Sequence, residues 1–131
     1  MTVLTAPEAE RLDREASTLA VSEIAAYLQD RLGQRMTAFL AGLADAKQVG
    51  RYAREDGPEP RAAVERRLRH GYKIVRMISE AYDAETAKAW LFGTNTLLDD
   101  EAPIEVLRAA DEPEQFTAVI RAARGLASFQ G

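Results

Sequence analysis

The chain has no cysteine among its 131 residues. Disulfides, thiolate metal sites and a cysteine nucleophile are therefore excluded, and a reducing compartment is the natural setting for such a protein. The chain also lacks an apolar run of the roughly 18 residues that a membrane span requires. Residues 1–6 have neither the basic region nor the apolar region of a secretory signal. We expect a cytoplasmic protein with no membrane association.

Catalytic groups are equally scarce. His70 is the only histidine, and its neighbours in the sequence form no pattern typical of catalysis, so we interpret it as a surface residue. No glycine-rich phosphate loop follows a strand. Asp99, Asp100 and Glu101 form one acidic turn, but three adjacent carboxylates lack the further ligands that Ca²⁺ requires, and we interpret them as solvated. We expect a protein that is not an enzyme and holds neither cofactor nor metal.

Net charge is also small, at −4, but its distribution is uneven. Between residues 46 and 78 there are nine basic and four acidic side chains, whereas residues 81–131 carry four basic and nine acidic ones. This asymmetry is typical of a chain in which one region meets phosphate and another meets a different partner. Two ordinary solvated helix surfaces explain the charges equally well.

No stretch alternates apolar and polar residues over the length of a strand, so we predict an all-α fold. Residues 1–20 should form a loosely held helix that begins near Pro7. Residues 21–57 contain an amphipathic helix and two short helices, and Asp56 to Pro60 form a break. A long helix follows within 58–82, and residues 83–131 make up a C-terminal region of short helices.

The two short helices, near 35–41 and 45–55, match a DNA-binding helix-turn-helix. Gly42 suits the tight turn, and Val49 and Tyr52 would hold the second helix against the core. The opposite face of that helix carries side chains that contact bases and phosphates well: Lys47, Gln48, Arg51 and Arg54. Arg35 and Thr37, at the start of the first helix, are candidate phosphate contacts. The alternative is an ordinary helical hairpin with a basic, solvated face.

A second informative run spans residues 85–107. Trp90 and Leu91 are followed by Asn95, then by leucines, an acidic turn and Pro103 at the start of a short apolar helix. This run resembles the toxin-binding domain of the Xre/MbcA/ParS antitoxin family. The family couples that domain to an Xre-like helix-turn-helix, so the resemblance covers roughly 21–129. Tyr52 stands where the family often has tryptophan, and either ring can anchor the helix.

The resemblance implies a helix-turn-helix region packed with a small helical toxin-binding domain. It also implies an antitoxin that neutralises a RES-domain toxin, an NAD-consuming enzyme, by covering its active site, and that represses its own operon as a multimer. On this resemblance, the residues that shape the toxin-binding domain are Trp90, Phe92, Asn95, Leu97, Leu98, Pro103 and Leu107. The final residues, Ser128, Phe129, Gln130 and Gly131, would lie nearest the toxin cleft.

Two other functions fit the same sequence. The first is a stand-alone transcriptional regulator whose C-terminal domain mediates dimerisation or contacts another protein. The second is a protein-interaction module that no longer reads DNA, which suits the acidic net charge. A helix-turn-helix usually works as a dimer on double-stranded DNA, so we expect a homodimer or higher homo-oligomer. Its interface would lie on the helix at 72–82 or on the C-terminal domain.

Overall fold

A computed structural model of the chain describes residues 3–128 as a set of helices. Within that range no strand forms, so the prediction of an all-α fold is confirmed. None of the described helices is both long and apolar enough to cross a membrane. In chain order the helices are α1 (Ala6–Thr18), α2 (Val21–Leu32), α3 (Gln34–Ala41), α4 (Lys47–Tyr52), α5 (Ala62–Ala81), α6 (Ala84–Phe92), a 3₁₀ turn (Thr96–Leu98), α7 (Pro103–Ala109) and α8 (Pro113–Ala127).

Local capping chemistry sets several of these boundaries. Thr5 Oγ1 accepts a hydrogen bond from the Glu8 backbone N–H at 3.3 Å, and a Glu8 carboxylate oxygen accepts one from the Thr5 N–H at 3.0 Å. This capping box satisfies two donors that the first turn of α1 would leave free. Asp83 caps α6 in a similar way, through the Thr86 N–H at 2.7 Å. Its hydrogen bonds to Thr86 hold the pKa of the Asp83 carboxyl below its usual value.

Helix α5 lies at the centre of the molecule. Its apolar residues Val64, Leu68, Tyr72, Val75 and Ile78 recur at the helical period, and all are buried. The neighbouring Gly71, Ile74 and Met77 are buried too, so more than one face of the helix is covered. Helices α1, α2, α3, α6 and α8 all pack against it. The amphipathic stripe in the sequence therefore understates how completely this helix is enclosed.

Helix α1 is firmly packed, which corrects the prediction of a loosely held N-terminal segment. Leu12 is fully buried, and Asp13 forms an ion pair with Lys73 of α5. One Glu15 carboxylate oxygen lies 2.9 Å from a guanidinium nitrogen of Arg76, also on α5. The partners of α1 lie about sixty residues away in the sequence, so local pattern did not reveal them.

The break between Asp56 and Pro60 is present, but it does not divide the core. Both sides of it contribute to a single cluster of buried apolar side chains, from Leu12 and Ile24 on one side to Leu91 and Phe116 on the other. The helices before the break and those after it are thus joined through α5.

His70 is half-buried on α5 and stacks on Phe116 of α8, which corrects its interpretation as a surface residue. The two ring centroids are 4.3 Å apart and the planes differ by 18°. Burial, followed by the positive charges of Lys73 and Arg66, lowers the pKa of His70 from its usual 6.5, and Asp13 opposes this weakly. The neutral imidazole is therefore the form that fits this site.

We expect the His70 imidazole to make stability fall at mildly acidic pH. Below about pH 6.5 the unfolded chain binds a proton at this position that the folded chain resists, so the contribution present above that pH is lost as pH falls. Denaturant unfolding between about pH 8 and pH 5 should show a steeper loss for the wild type than for His70→Gln. Carboxylates titrate in both proteins, so a stability difference that does not change with pH would contradict this account.

Candidate functional site

Helices α3 and α4 are joined by a tight turn that depends on Gly42. This residue adopts a left-handed conformation with φ of 81° and ends α3. The Leu43 N–H then bonds back to the Ala38 carbonyl oxygen at 2.9 Å. A Cβ atom added at Gly42 would lie 2.7 Å from an Arg67 guanidinium nitrogen. Backbone conformation and close approach therefore both favour glycine at this position.

Helix α4 is held against the core by Val49 and Tyr52, as the sequence predicted. Val49 is fully buried and Tyr52 nearly so, and the helix packs against α2 and α3. Asp45 Oδ1 accepts a hydrogen bond from the Lys47 N–H at 2.9 Å and so satisfies a donor of the first turn. The helix ends at Tyr52, earlier than the expected Glu55, because the chain turns where Gly57 comes against the Arg51 carbonyl.

The outward side of α4 and the turns that flank it carry the predicted polar side chains. Lys47, Arg51 and Arg54 are exposed and Gln48 is half-buried. Arg35 is exposed at the start of α3 and lines a shallow cleft beside the turn that leads into α4. We call these five residues the basic surface.

Two arginines of the basic surface are partly neutralised. Arg51 donates to Gln48 Oε1 at 2.5 Å and lies 3.8 Å from an Asp45 carboxylate oxygen. Arg54 lies 3.4 Å from Asp56. Within residues 3–128, Lys47 and Arg35 form no ion pair. The pairs that Arg51 and Arg54 form with Asp45 and Asp56 are solvent-exposed and therefore weak enough to exchange for another anion.

Thr37 does not belong to this surface, which corrects its interpretation as a phosphate contact. The residue has no exposed area and lies in the interior with the buried side of α3. A side chain with no exposed surface cannot meet a phosphate. Helical spacing puts Thr37 one turn before Leu40 and Ala41, on the buried side of α3.

The residues suggested for partner binding divide into core and surface. Phe92 and Leu97 are 60% and 73% exposed, whereas Leu98, Pro103 and Leu107 are buried and support the fold instead of offering contacts. Trp90 is half-buried against the core, and Asn95 caps the 3₁₀ turn by accepting from the Leu97 N–H at 2.9 Å. Ser128 is exposed; Phe129, Gln130 and Gly131 lie outside the described residues.

The acidic turn, Asp99 to Glu101, lies beside Leu97, and Leu97, Asp99 and Glu101 line one shallow cleft. Asp99 and Asp100 both have positive φ, 56° and 64°, and Asp99, Asp100 and Glu101 are all exposed. Aspartate tolerates this conformation better than most residues do. The solvated interpretation of the turn fits this exposure, and the described residues contain no group of carboxylates and histidines arranged to hold a metal ion.

Comparisons of the chain with protein-family models, with curated proteins and with solved structures find no match in any of the three.

Sequence reasoning missed two arginines that adjoin the basic surface. Arg67 of α5 and Arg108 of α7 donate hydrogen bonds to the last carbonyls of α3. Their partners lie 26 and 69 residues away, so no local spacing identifies them.

We expect Gly42→Ala to destabilise the protein by about 1–2 kcal/mol, because a Cβ atom is unfavourable in the left-handed conformation and here also meets Arg67. Gly125→Ala is the matched control, since a Cβ added there on α8 meets nothing within 4 Å. That variant should gain about 0.5–1 kcal/mol from reduced freedom of the unfolded chain. Denaturant unfolding measures both, and a Gly42→Ala protein as stable as the wild type would contradict the turn geometry.

Proposed function

We propose that this chain is an antitoxin-type regulator that binds operator DNA through its basic surface and a RES-domain toxin through its C-terminal part. The observation that carries the DNA half of the proposal is the exposed, basic side of α4. This side is presented by a helix whose opposite side, at Val49 and Tyr52, is buried. The resemblance of residues 85–107 to a toxin-binding domain supports the other half.

DNA reading would begin with the short helix α4 in the major groove. Six residues span about 9 Å, enough for its first residues to reach base edges while the following turn stays near the backbone. Arg51 suits a guanine edge and Gln48 an adenine, with Lys47 and Arg54 on phosphates. To engage DNA, Arg51 must exchange Gln48 and Asp45 for a base or a phosphate. Two copies would occupy half-sites about 34 Å apart.

Toxin binding would use the exposed apolar side chains Phe92 and Leu97 beside the acidic turn. Large exposed apolar groups that adjoin charge are typical of protein contact sites. The negative charge of Asp99, Asp100 and Glu101 favours a partner with basic side chains around an apolar pocket. The toxin surface around its active site would have to offer both features.

A protein-interaction module that does not read DNA is the second candidate, and one observation favours it. Asp45 and Asp56 lie beside Arg51 and Arg54 and reduce the positive potential of the basic surface. The chain as a whole is also acidic, with a net charge of −4. A stand-alone transcriptional regulator would keep DNA binding without a toxin. DNA binding and toxin neutralisation, measured separately, distinguish all three functions.

We expect the double variant Lys47→Ala plus Arg51→Ala to lose at least about tenfold in affinity for the promoter fragment upstream of its own gene. The slope of log affinity against log salt is negative, and each lost phosphate contact should make it less negative by about 0.9. Arg121→Ala, an exposed arginine on α8, is the control and should bind as the wild type does. Fluorescence anisotropy over a salt series gives both quantities. Unchanged promoter binding by the double variant would remove the DNA half of the proposal.

The toxin half is tested first by whether the neighbouring gene encodes a RES-domain protein, since its absence would favour the stand-alone regulator. Against that protein, we expect Leu97→Glu to weaken binding by at least about tenfold. The change removes a leucine whose burial is worth about 1.5–3 kcal/mol and puts a carboxylate into the contact. Ala26→Glu, at an exposed site on α2, is the charge-matched control. Co-purification measures binding, and co-expression measures relief of growth arrest. An arrest that persists with the wild-type chain would contradict the antitoxin function and favour the stand-alone regulator.

A further inference from the structure

The C-terminal end of α3 is held by a side chain from α7. An Arg108 guanidinium nitrogen donates to the Phe39 carbonyl oxygen at 2.8 Å. The Arg108 guanidinium also lies over the Phe39 ring, with its carbon 4.4 Å from the ring centroid. One arginine thus satisfies a carbonyl in the last turn of α3 and covers an aromatic ring that is 39% exposed.

Arg67 of α5 makes a second connection at the same place. It donates to the Ala41 carbonyl at 3.4 Å, and its other terminal nitrogen donates to the Ala110 carbonyl, at the end of α7, at 3.1 Å. Its side chain is only 11% exposed. Because helix C-termini carry partial negative charge, a buried guanidinium between two of them is favourable to both. The ends of α3 and α7 are therefore joined through one cation.

These contacts lie next to the turn that sets the direction of α4. Gly42 follows Ala41 directly, and only a few residues separate it from Lys47, where α4 begins. Helix α4 packs against both α2 and α3, so the orientation of α3 is one of the two constraints on the orientation of α4. Base contacts tolerate little misplacement, so an element that orients α3 and the turn also controls what α4 can reach.

We propose that Arg108, assisted by Arg67, is a positioning residue for DNA binding: it orients α3 and the turn into α4 without touching DNA itself. The inference rests on the proposed function, because it gives the C-terminal half of the chain a part in DNA binding. It predicts that operator affinity depends on α7, a helix outside the basic surface.

The salt dependence of binding separates a positioning residue from a phosphate contact. We expect Arg108→Ala to weaken binding to the promoter fragment about five- to tenfold at every concentration from about 50 mM to about 200 mM salt, with the slope of log affinity against log salt unchanged. If Arg108 contacted a phosphate directly, its loss would make that negative slope shallower by about 0.9. Arg124→Ala, an exposed arginine on α8, is the control and should match the wild type in affinity and slope.

Two further variants guard against a trivial effect on folding. Arg108→Met keeps an aliphatic side chain over Phe39 and removes both the charge and the hydrogen-bond donor, so it decides the question if Arg108→Ala does not fold. Arg108→Lys keeps a donor for the Phe39 carbonyl and a cation over the ring, and we expect it to recover binding to within about threefold of the wild type. Circular dichroism at the assay temperature checks that each variant is folded.

The outcomes are distinguishable. Wild-type affinity in folded Arg108→Ala or Arg108→Met would overturn the inference and leave DNA binding intact. A less negative salt slope in either variant would show that Arg108 contacts phosphate directly and would also overturn the inference. If the wild-type chain itself fails to bind the promoter fragment, the proposed DNA-binding function fails, and the inference fails with it.

Discussion

The burial of α5 is the constraint on which the rest of the structure depends. A twenty-residue helix whose Gly71, Ile74, Val75 and Met77 are all buried must be covered on several sides, and the surrounding helices supply the cover. Glycine is required where α5 meets α3, since a Cβ added at Gly71 would lie 2.7 Å from the Leu40 side chain. Removing any of the surrounding helices would expose apolar surface, so the N-terminal and C-terminal parts have a core in common.

This shared core changes how the proposed DNA-binding region should be viewed. Helices α3 and α4 are not a separate module on a linker, because Leu40 and Met36 pack into the same cluster as α5 and α7. The polar contacts follow the same plan, with Arg67 connecting the ends of α3 and α7. A protein that binds DNA with one part and another protein with a second part gains from this arrangement, since neither surface can reorient independently.

Sequence pattern was sufficient for features that are set locally and insufficient for those set at a distance. Periodicity and glycine placement gave α2, the α3 to α4 turn and the burial of Val49 and Tyr52, because helix amphipathicity and left-handed turns are properties of a few neighbouring residues. The same pattern gave Thr37 and His70 the wrong environment. Thr37 shares the buried side of α3 with Leu40 and Ala41, a spacing that the sequence already contained. The burial of His70, by contrast, depends on α8, which comes from far along the chain. Long-range ion pairs such as Asp13 with Lys73 escaped prediction for the same reason.

The central claim is that one face of this single helical body meets DNA while a different face meets protein. Hydrogen–deuterium exchange with and without the promoter fragment tests it most directly, since slowed exchange locates a bound surface residue by residue. The account predicts slower exchange at 34–36 and 47–55 on DNA binding, with residues 92–101 unchanged. Slowed exchange at 92–101 with none at 47–55 would contradict it.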